Sequence, residues 1–296
     1  MRKTGFIAIV GQANAGKSTL LNAFIKQKVS IVSPKPQTTR DSIMGVWTDD
    51  DSQIVFVDTP GFLQSKNALN DYMLKSIDNA VQDVDAILLV IDGHDGISSR
   101  ELAQIDKYRK LTVPIIVAVT KIDITQPEKL MPELAKLNEI EGIAEVYCVS
   151  AKRNRGVEEL KQALKKYLTG SVMYFEEDDI TDKSQRYIVG EIIREKVLIA
   201  CENEIPHGIG VYINKMQMEG SAWDIDATVI VEKASHKPIV LGKHGAMIKG
   251  IGTHARVSIE KLLDAQVFLT LWVKVKEDWR NNPSMLSELG YTNRRK

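Results

Sequence analysis

Gly11-Gln12-Ala13-Asn14-Ala15-Gly16-Lys17-Ser18 is the stretch around which this chain is organised. It reads G-x-x-x-x-G-K-S, with an apolar run at residues 6–10 before it and a helix-prone stretch at residues 19–26 after it. Strand, loop and helix in that order separate a phosphate cradle from a chance glycine-rich turn. Gly11 and Gly16 let the backbone curl, so the N–H groups of Gln12, Ala13, Asn14 and Ala15 and the helix N-terminus can face negative charge. Lys17 reaches β- and γ-phosphates, the Ser18 hydroxyl is placed to ligate Mg²⁺, and Thr19 continues the same turn.

Composition narrows the classes. At 296 residues the chain is long enough for two domains, and with 44% hydrophobic residues both can bury a core. The formal net charge is zero, so any contact with nucleic acid has to come from a local basic patch. Cys148 and Cys201 have no metal-ligand spacing, and Cys148 sits in an apolar run that suits a small buried hydrophobe. A reducing, intracellular compartment is expected. No apolar stretch approaches the roughly twenty residues of a spanning helix. The basic start Met1-Arg2-Lys3 leads to an apolar segment that is too short for a secretory signal and runs into the phosphate loop.

Working outward, residues 33–41 hold two prolines and many polar groups, which disfavour helix and predict a loop. Residues 43–48 and 53–57 read as strands joined by the acidic turn Asp49-Asp50-Asp51-Ser52. Continuous β-branched runs at 86–91, 115–119 and 146–149 suit strands buried on both faces of a parallel sheet. Helix-like stretches at 69–80, 99–110, 127–138 and 157–168 lie between them. The prediction is an α/β domain with a mostly parallel sheet and ligands at the carboxyl ends of the strands.

The polar motifs fall at those ends. Asp58, in Asp58-Thr59-Pro60-Gly61-Phe62, can hold Mg²⁺ through water, and Gly61 lets its N–H approach a γ-phosphate. A threonine of the 33–41 loop, Thr38 or Thr39, would complete the metal shell with triphosphate present and release when the γ-phosphate is lost. Asp123, in Thr120-Lys121-Ile122-Asp123, offers two acceptors to the adjacent donors of guanine, whereas adenine presents an acceptor there. Lys121 packs its stem along the base, and the N–H of Ala151, in Ser150-Ala151-Lys152, faces the guanine keto oxygen. GTP, with GDP as product, is therefore the expected ligand.

With these five motifs in order, residues 5–168 resemble a translation-factor-class GTPase domain. The forms Gln37-Thr38-Thr39-Arg40-Asp41 and Asp58-Thr59-Pro60-Gly61-Phe62 resemble the Era-type branch of bacterial GTPases. The resemblance selects Thr39 as the metal ligand, because it directly precedes Arg40-Asp41, and groups Lys17, Asn14, Thr39 and Gly61 as the catalytic set. One departure stands out: Thr120 occupies the place of the family's Asn, which helps bind the base and ties its loop to the phosphate loop. Phe62 stands where small signalling GTPases carry a water-orienting Gln, so unassisted hydrolysis is expected to be slow. Asn14 matches the position at which related GTPases bind K⁺; a role confined to capping the loop is the other reading of this residue.

In the second half, Leu168-Thr169-Gly170 ends the last helix of this domain, and the acidic residues 176–179 begin an exposed linker. Residues 185–205 pattern as a long helix, and 211–218 with 223–231 as a hairpin about Glu219-Gly220-Ser221. Gly242-Lys243-His244-Gly245 then lies between an apolar segment and a helix carrying Met247, Ile248 and Lys249. Paired glycines let a turn approach a nucleic-acid backbone, and Lys233, Lys237, Lys243, Lys249 and Arg256 form an acid-free basic run. This G-x-x-G with its flanking helix is similar to a KH domain of type II, which makes these seven residues, 242–245 and 247–249, the RNA-binding set. The strand expected at 266–275 completes it. Trp279 reads as packing the short C-terminal helix, and Arg294-Arg295-Lys296 as a solvated tail.

The expected fold class is thus a P-loop GTPase domain (1–172), a linker (173–184) and an α+β KH type II domain (185–296). The resemblance implies a monomeric bacterial ribosome-biogenesis GTPase that binds small-subunit ribosomal RNA near its 3′ end and assists assembly of the small ribosomal subunit. It also implies a cytoplasmic protein, with peripheral association at the inner face of the cell membrane as a second location. Two rivals stay open: an NTP-hydrolysing enzyme whose G-x-x-G half is a structural lid, and a membrane-surface regulator.

Overall fold

The computed structural model describes residues 2–201, 205 and 208–291. The chain divides into two compact units, the first being Met1–Ser30, Thr39–Gln64 and Met73–Asp182. Its sheet is built from β1 (Lys3–Gly11), β2 (Ile43–Thr48), β3 (Ser52–Asp58), β4 (Ala86–Asp92), β5 (Ile115–Thr120) and β6 (Ile143–Cys148). Their order is β2-β3-β1-β4-β5-β6, with every pairing parallel except β2 with β3. Between the strands run α1 (Lys17–Ile25), α2 (Ala68–Ala80), α3 (Ser99–Tyr108), α4 (Pro127–Glu139) and α5 (Val157–Leu164).

The unbroken apolar runs have a simple cause. In β1, Ile7 and Ile9 face one core with Leu20 and Phe24 of α1 and Leu160 of α5. Their neighbours Ala8 and Val10 face a second core with Ile105 of α3 and Leu137 of α4. Period-two alternation therefore places apolar residues at every position, because both faces are covered. Register then aligns the carboxyl ends: Ile9 pairs with Asp58, Gly11 with Val90, and Asp92 with Thr120. Cys148 departs from expectation. It is half-buried, because β6 is the edge strand, while Cys201 is buried. Of the stretch expected as a linker, the acidic turn is exposed, but Gly45 bridges to Thr181 and the Val46 N–H donates to Ile180 O at 2.9 Å.

The second unit is Ile31–Thr38, Ser65–Tyr72 and Lys183–Lys296. Its elements are α6 (Gln185–Ala200), β7 (Ile209–Glu219), β8 (Ala222–Val231), α7 (His236–Leu241), α8 (Ala246–Leu263), β9 (Gln266–Val275) and α9 (Pro283–Glu288). The sheet order is β7-β8-β9, with β7 antiparallel and β9 parallel to β8. Isoleucines and valines of α6 and α8 pack on its inward residues, among them Ile225, Ala227, Val267 and Val273. Helix α6 stops at Ala200, short of the expected 205: Cys201 leaves the helical region at ψ 65°, and Pro206 disfavours helix at Ile205. Residues 202–204 of that expectation lie outside the described residues, as does the C-terminal Arg294-Arg295-Lys296. The apolar segment before the G-x-x-G is a short helix, α7. Trp279 is fully buried, with its indole N–H donating to Gly208 O at 3.0 Å, so it packs as expected. Among the described residues, no helix is long and apolar enough to cross a membrane.

Candidate functional site

The eight-residue loop joins β1 to α1, and its lysine is folded back into it. Lys17 Nζ donates to Gly11 O at 3.1 Å and Gln12 O at 2.7 Å, and the residue is 5% exposed. Burial lowers the Lys17 pKa to about 8 from 10.5, an effect the negative charge of Asp58 opposes. Asn14 stands exposed at the loop tip with φ 65°, and Gly16 caps α1. Thr19 lies in the first turn of α1, half-buried.

Around Ser18 three hydroxyls and one carboxylate converge. Ser18 Oγ donates to Asp58 Oδ2 at 2.7 Å and lies 2.9 Å from Thr39 Oγ1. Ser30 Oγ donates to the same Oδ2 at 2.9 Å. Asp58 ends β3 fully buried; burial raises its pKa, against the pull of Lys17 and the two serines. Its Oδ1 is buried with no hydrogen-bond partner among the described residues. Hard oxygen donors with one carboxylate oxygen left over fit a Mg²⁺ ion. Thr38, by contrast, turns into its own loop, with Oγ1 2.7 Å from Ser33 Oγ and donating to Lys35 O at 2.6 Å.

The segment after Asp58 closes over the loop. Thr59 Oγ1 donates to Ile9 O at 2.8 Å, and the Phe62 N–H donates to Gly11 O at 3.2 Å. Pro60 is buried between Thr59 and Gly61. A Cβ on Gly61 would stand 2.6 Å from the Ala13 backbone, so no other residue fits that approach.

At the far end of the sheet, Thr120 Oγ1 donates to Ala15 O at 2.6 Å, with Ile91 O at 3.2 Å. Thr120 therefore ties the end of β5 to the glycine-rich loop, the connection that the resemblance assigns to an Asn at this place. Asp123 is exposed, and its Oδ1 accepts from Ser150 Oγ at 2.6 Å, which lowers its pKa and keeps it ionised as an acceptor. Ala151 and Lys152 follow in a turn closed by the Ser150–Arg155 backbone pair. Lys121 Nζ is anchored by Asp92 Oδ2 at 2.5 Å. Asp92 and Ser30 were missed from the sequence; Asp92, ending an apolar strand run with a carboxylate, carried a readable signal, whereas Ser30 carried none.

In the second unit, Gly242, Lys243, His244 and Gly245 connect α7 to α8, and Met247, Ile248 and Lys249 lie in the first turns of α8. Gly242 has φ 70°, and a Cβ there would meet Met247 Cβ at 2.6 Å. Gly245 has φ 77° and nothing within 4 Å of the place of a Cβ, so its outer side is open. Lys243, His244, Met247 and Lys249 are exposed. Beside them, α8 and β9 enclose a groove of about 590 Å³. Lys249, Thr253 and Arg256 line one wall, Phe268 and Thr270 the other. The β9 wall had no motif to mark it.

The comparisons with known proteins bear on both units. Residues 6–121 match the profile of 50S ribosome-binding GTPases, and residues 204–280 that of the KH domain. The chain is 44% identical over 292 residues to GTPase Era of Clostridium kluyveri, covering 98% of this chain and 100% of that one. The chain belongs to the Era family of GTPases. GTPase Era of Clostridium botulinum strain Loch Maree is 43% identical over 294 residues, 99% of each chain. Two solved Era structures superpose over nearly the full length at 36% identity. A single-substitution variant of Aquifex aeolicus Era, bound to GDP.AlF4⁻, has a TM-score of 0.93 and covers 98% of this chain and 99% of its own. An Era complex with MgGDPNP and nucleotides 1506–1542 of 16S ribosomal RNA has a TM-score of 0.94, covering 99% and 100%. This Era-family chain is thus a GTPase with a KH domain, a mostly parallel six-stranded sheet followed by a three-stranded α+β unit.

Proposed function

We propose that this GTPase is a switch that binds the 3′ end of small-subunit ribosomal RNA through its KH half and assists assembly of the small ribosomal subunit. The observation that carries the reading is the pairing of an open G-x-x-G turn with the adjacent basic-walled groove, in a chain that matches the RNA-bound Era complex along its whole length. Gly242, Lys243, His244 and Gly245 approach the RNA backbone, while Met247, Ile248 and Lys249 line the path of the bases.

At the nucleotide, residues 11–19 cradle the phosphates, and Lys17 moves from its loop carbonyls to the β- and γ-phosphates. Ser18, Thr39 and, through water, Asp58 hold Mg²⁺, which when bound neutralises charge on the β- and γ-phosphates. The Gly61 N–H faces the γ-phosphate, with Thr59, Pro60 and Phe62 shaping its approach. Asp123, Thr120, Lys121, Ser150, Ala151 and Lys152 enclose guanine. Phe62 has no group to orient water, so hydrolysis is slow alone, and Asn14 is the place for a K⁺ ion that steadies the developing charge. The protein works as a monomer in the cytoplasm or at the inner face of the membrane.

The test is binding of an RNA spanning the 16S 3′ end, against a scrambled RNA, with GDPNP present. The expected result is sequence-selective binding that Gly245→Asp abolishes, because the new side chain fills the open approach and brings negative charge to it. Equal binding of both RNAs, or no effect of the substitution, overturns the reading.

A further inference from the structure

The second compact unit takes in two segments of the first half of the chain, Ile31–Thr38 and Ser65–Tyr72. The first is a strap between two residues of the phosphate site. Ser30 precedes it and donates to Asp58; Thr39 follows it and stands 2.9 Å from Ser18 Oγ. Two adjacent residues of α6 grip the strap near its ends. Glu195 Oε1 accepts from the Val32 N–H at 3.0 Å, and the Arg194 guanidinium donates to Thr38 O.

Both gripping side chains are almost wholly buried, at 1% and 3% exposed. Arg194 is braced by Glu191, with Nε donating at 2.7 Å, and Glu195 by Lys196 at 2.9 Å. Buried charges of this kind add little to stability over well-packed apolar side chains, so their bonds to backbone call for another role. The geometry supplies one. A peptide unit is planar, so fixing the Thr38 carbonyl also fixes the plane that carries the N–H and Cα of Thr39, the atom from which its side chain departs. The second segment is held too: the Ala68 N–H donates to Asn281 Oδ1 at 3.1 Å, and the Tyr72 and Tyr291 rings lie 5.8 Å apart.

We propose that Arg194 and Glu195 are positioning residues for GTP hydrolysis. They hold the strap, which runs by covalent chain directly into Thr39, and so set the backbone from which the Thr39 hydroxyl reaches Ser18. The proposal rests on the reading of Ser18, Thr39 and Asp58 as the metal-holding set.

The test is a double-mutant cycle on the full chain without RNA, measuring kcat and KM for GTP and the Kd for GDP. Arg194→Met and Glu195→Leu are each expected to lower kcat about tenfold, within the usual range of coupling between sites. Affinity for GDP stays within about threefold, because the γ-phosphate and Thr39 are not engaged in that state. Glu195→Gln keeps a carbonyl acceptor for Val32 and restores kcat. Added to Thr39→Ala, which lowers kcat itself, neither substitution has a further effect. Should Arg194→Met fail to fold, the Glu195 variants carry the test. An unchanged kcat, or a full additional loss in the Thr39→Ala background, overturns the positioning role. If Thr39→Ala alone leaves kcat intact, the metal-set reading falls first, and the proposed route falls with it.

Discussion

Thr120→Val isolates one hydrogen bond that joins the two ends of the nucleotide site. Valine keeps the branched shape and removes only the hydroxyl, at a residue that is 2% exposed. That hydroxyl has one proton, given mainly to Ala15 O at 2.6 Å and less to Ile91 O at 3.2 Å. Without it, the phosphate loop loses a buried donor worth about 1–3 kcal/mol. If about 1.4 kcal/mol of this falls on the liganded state, GDP affinity drops about tenfold. Guanine preference is unaffected, because Asp123 is held separately by Ser150. Isothermal titration of wild type, Thr120→Val and Thr120→Ser with GDP and ADP measures both effects. The serine variant, which keeps the hydroxyl, is expected within about threefold of wild type. Wild-type GDP affinity in the valine variant, or a lost preference for guanine, would refute the reasoning.

Other perturbations reach different parts of the account. Asp123→Asn replaces an acceptor by an amide donor facing the guanine donors, and GTP affinity should fall on the order of a hundredfold or more by fluorescence titration. Burial lowers the Lys17 pKa to about 8 from 10.5, so between these values the unfolded chain binds more protons. The stability of the nucleotide-free protein should therefore gain up to about 3 kcal/mol from Lys17 as pH rises through this window. Urea unfolding across pH 7.5–10.5 checks this, and Lys17→Met should flatten the gain. In RNA titrations against salt, Lys249→Ala and Arg256→Ala should each reduce the log–log slope by about 0.7, as loss of one phosphate contact requires.

Much of the proposed phosphate site was legible because its chemistry is local. Glycines at 11 and 16, with a lysine and a serine in consecutive places, mark the loop by local sequence alone, even though Thr120 and Asp58 bond to it from far along the chain. Asp92 was less legible because its role depends on register: only the parallel pairing of β4 with β5 places it level with Thr120 and within reach of Lys121. Ser30 depends on the path of the chain after α1, where Asn22 Oδ1 accepts from the Val29 and Ser30 N–H groups at 2.9 and 3.0 Å. The end of α6 was read too late because an apolar pattern continues to Ile205 while the backbone turns at Cys201. Phe268 and Thr270 escaped notice for a related reason. Alternation along β9 marks them only as outward-facing, and the groove exists only once α8 lies beside that strand. Residues 33–38 of the strap fall in the stretch 33–41 that reads as a loop, but its attachment to Arg194 and Glu195 joins residues more than 150 positions apart.

A switch of the proposed kind requires nucleotide state to control RNA affinity, and one comparison tests this directly. The affinity of the full chain for an RNA spanning nucleotides 1506–1542 should be measured with GDPNP, with GDP and without nucleotide, all with Mg²⁺ at one salt concentration. Tighter binding with GDPNP than with GDP, by about fivefold or more, is the predicted result. Equal affinity in the three states would contradict the account.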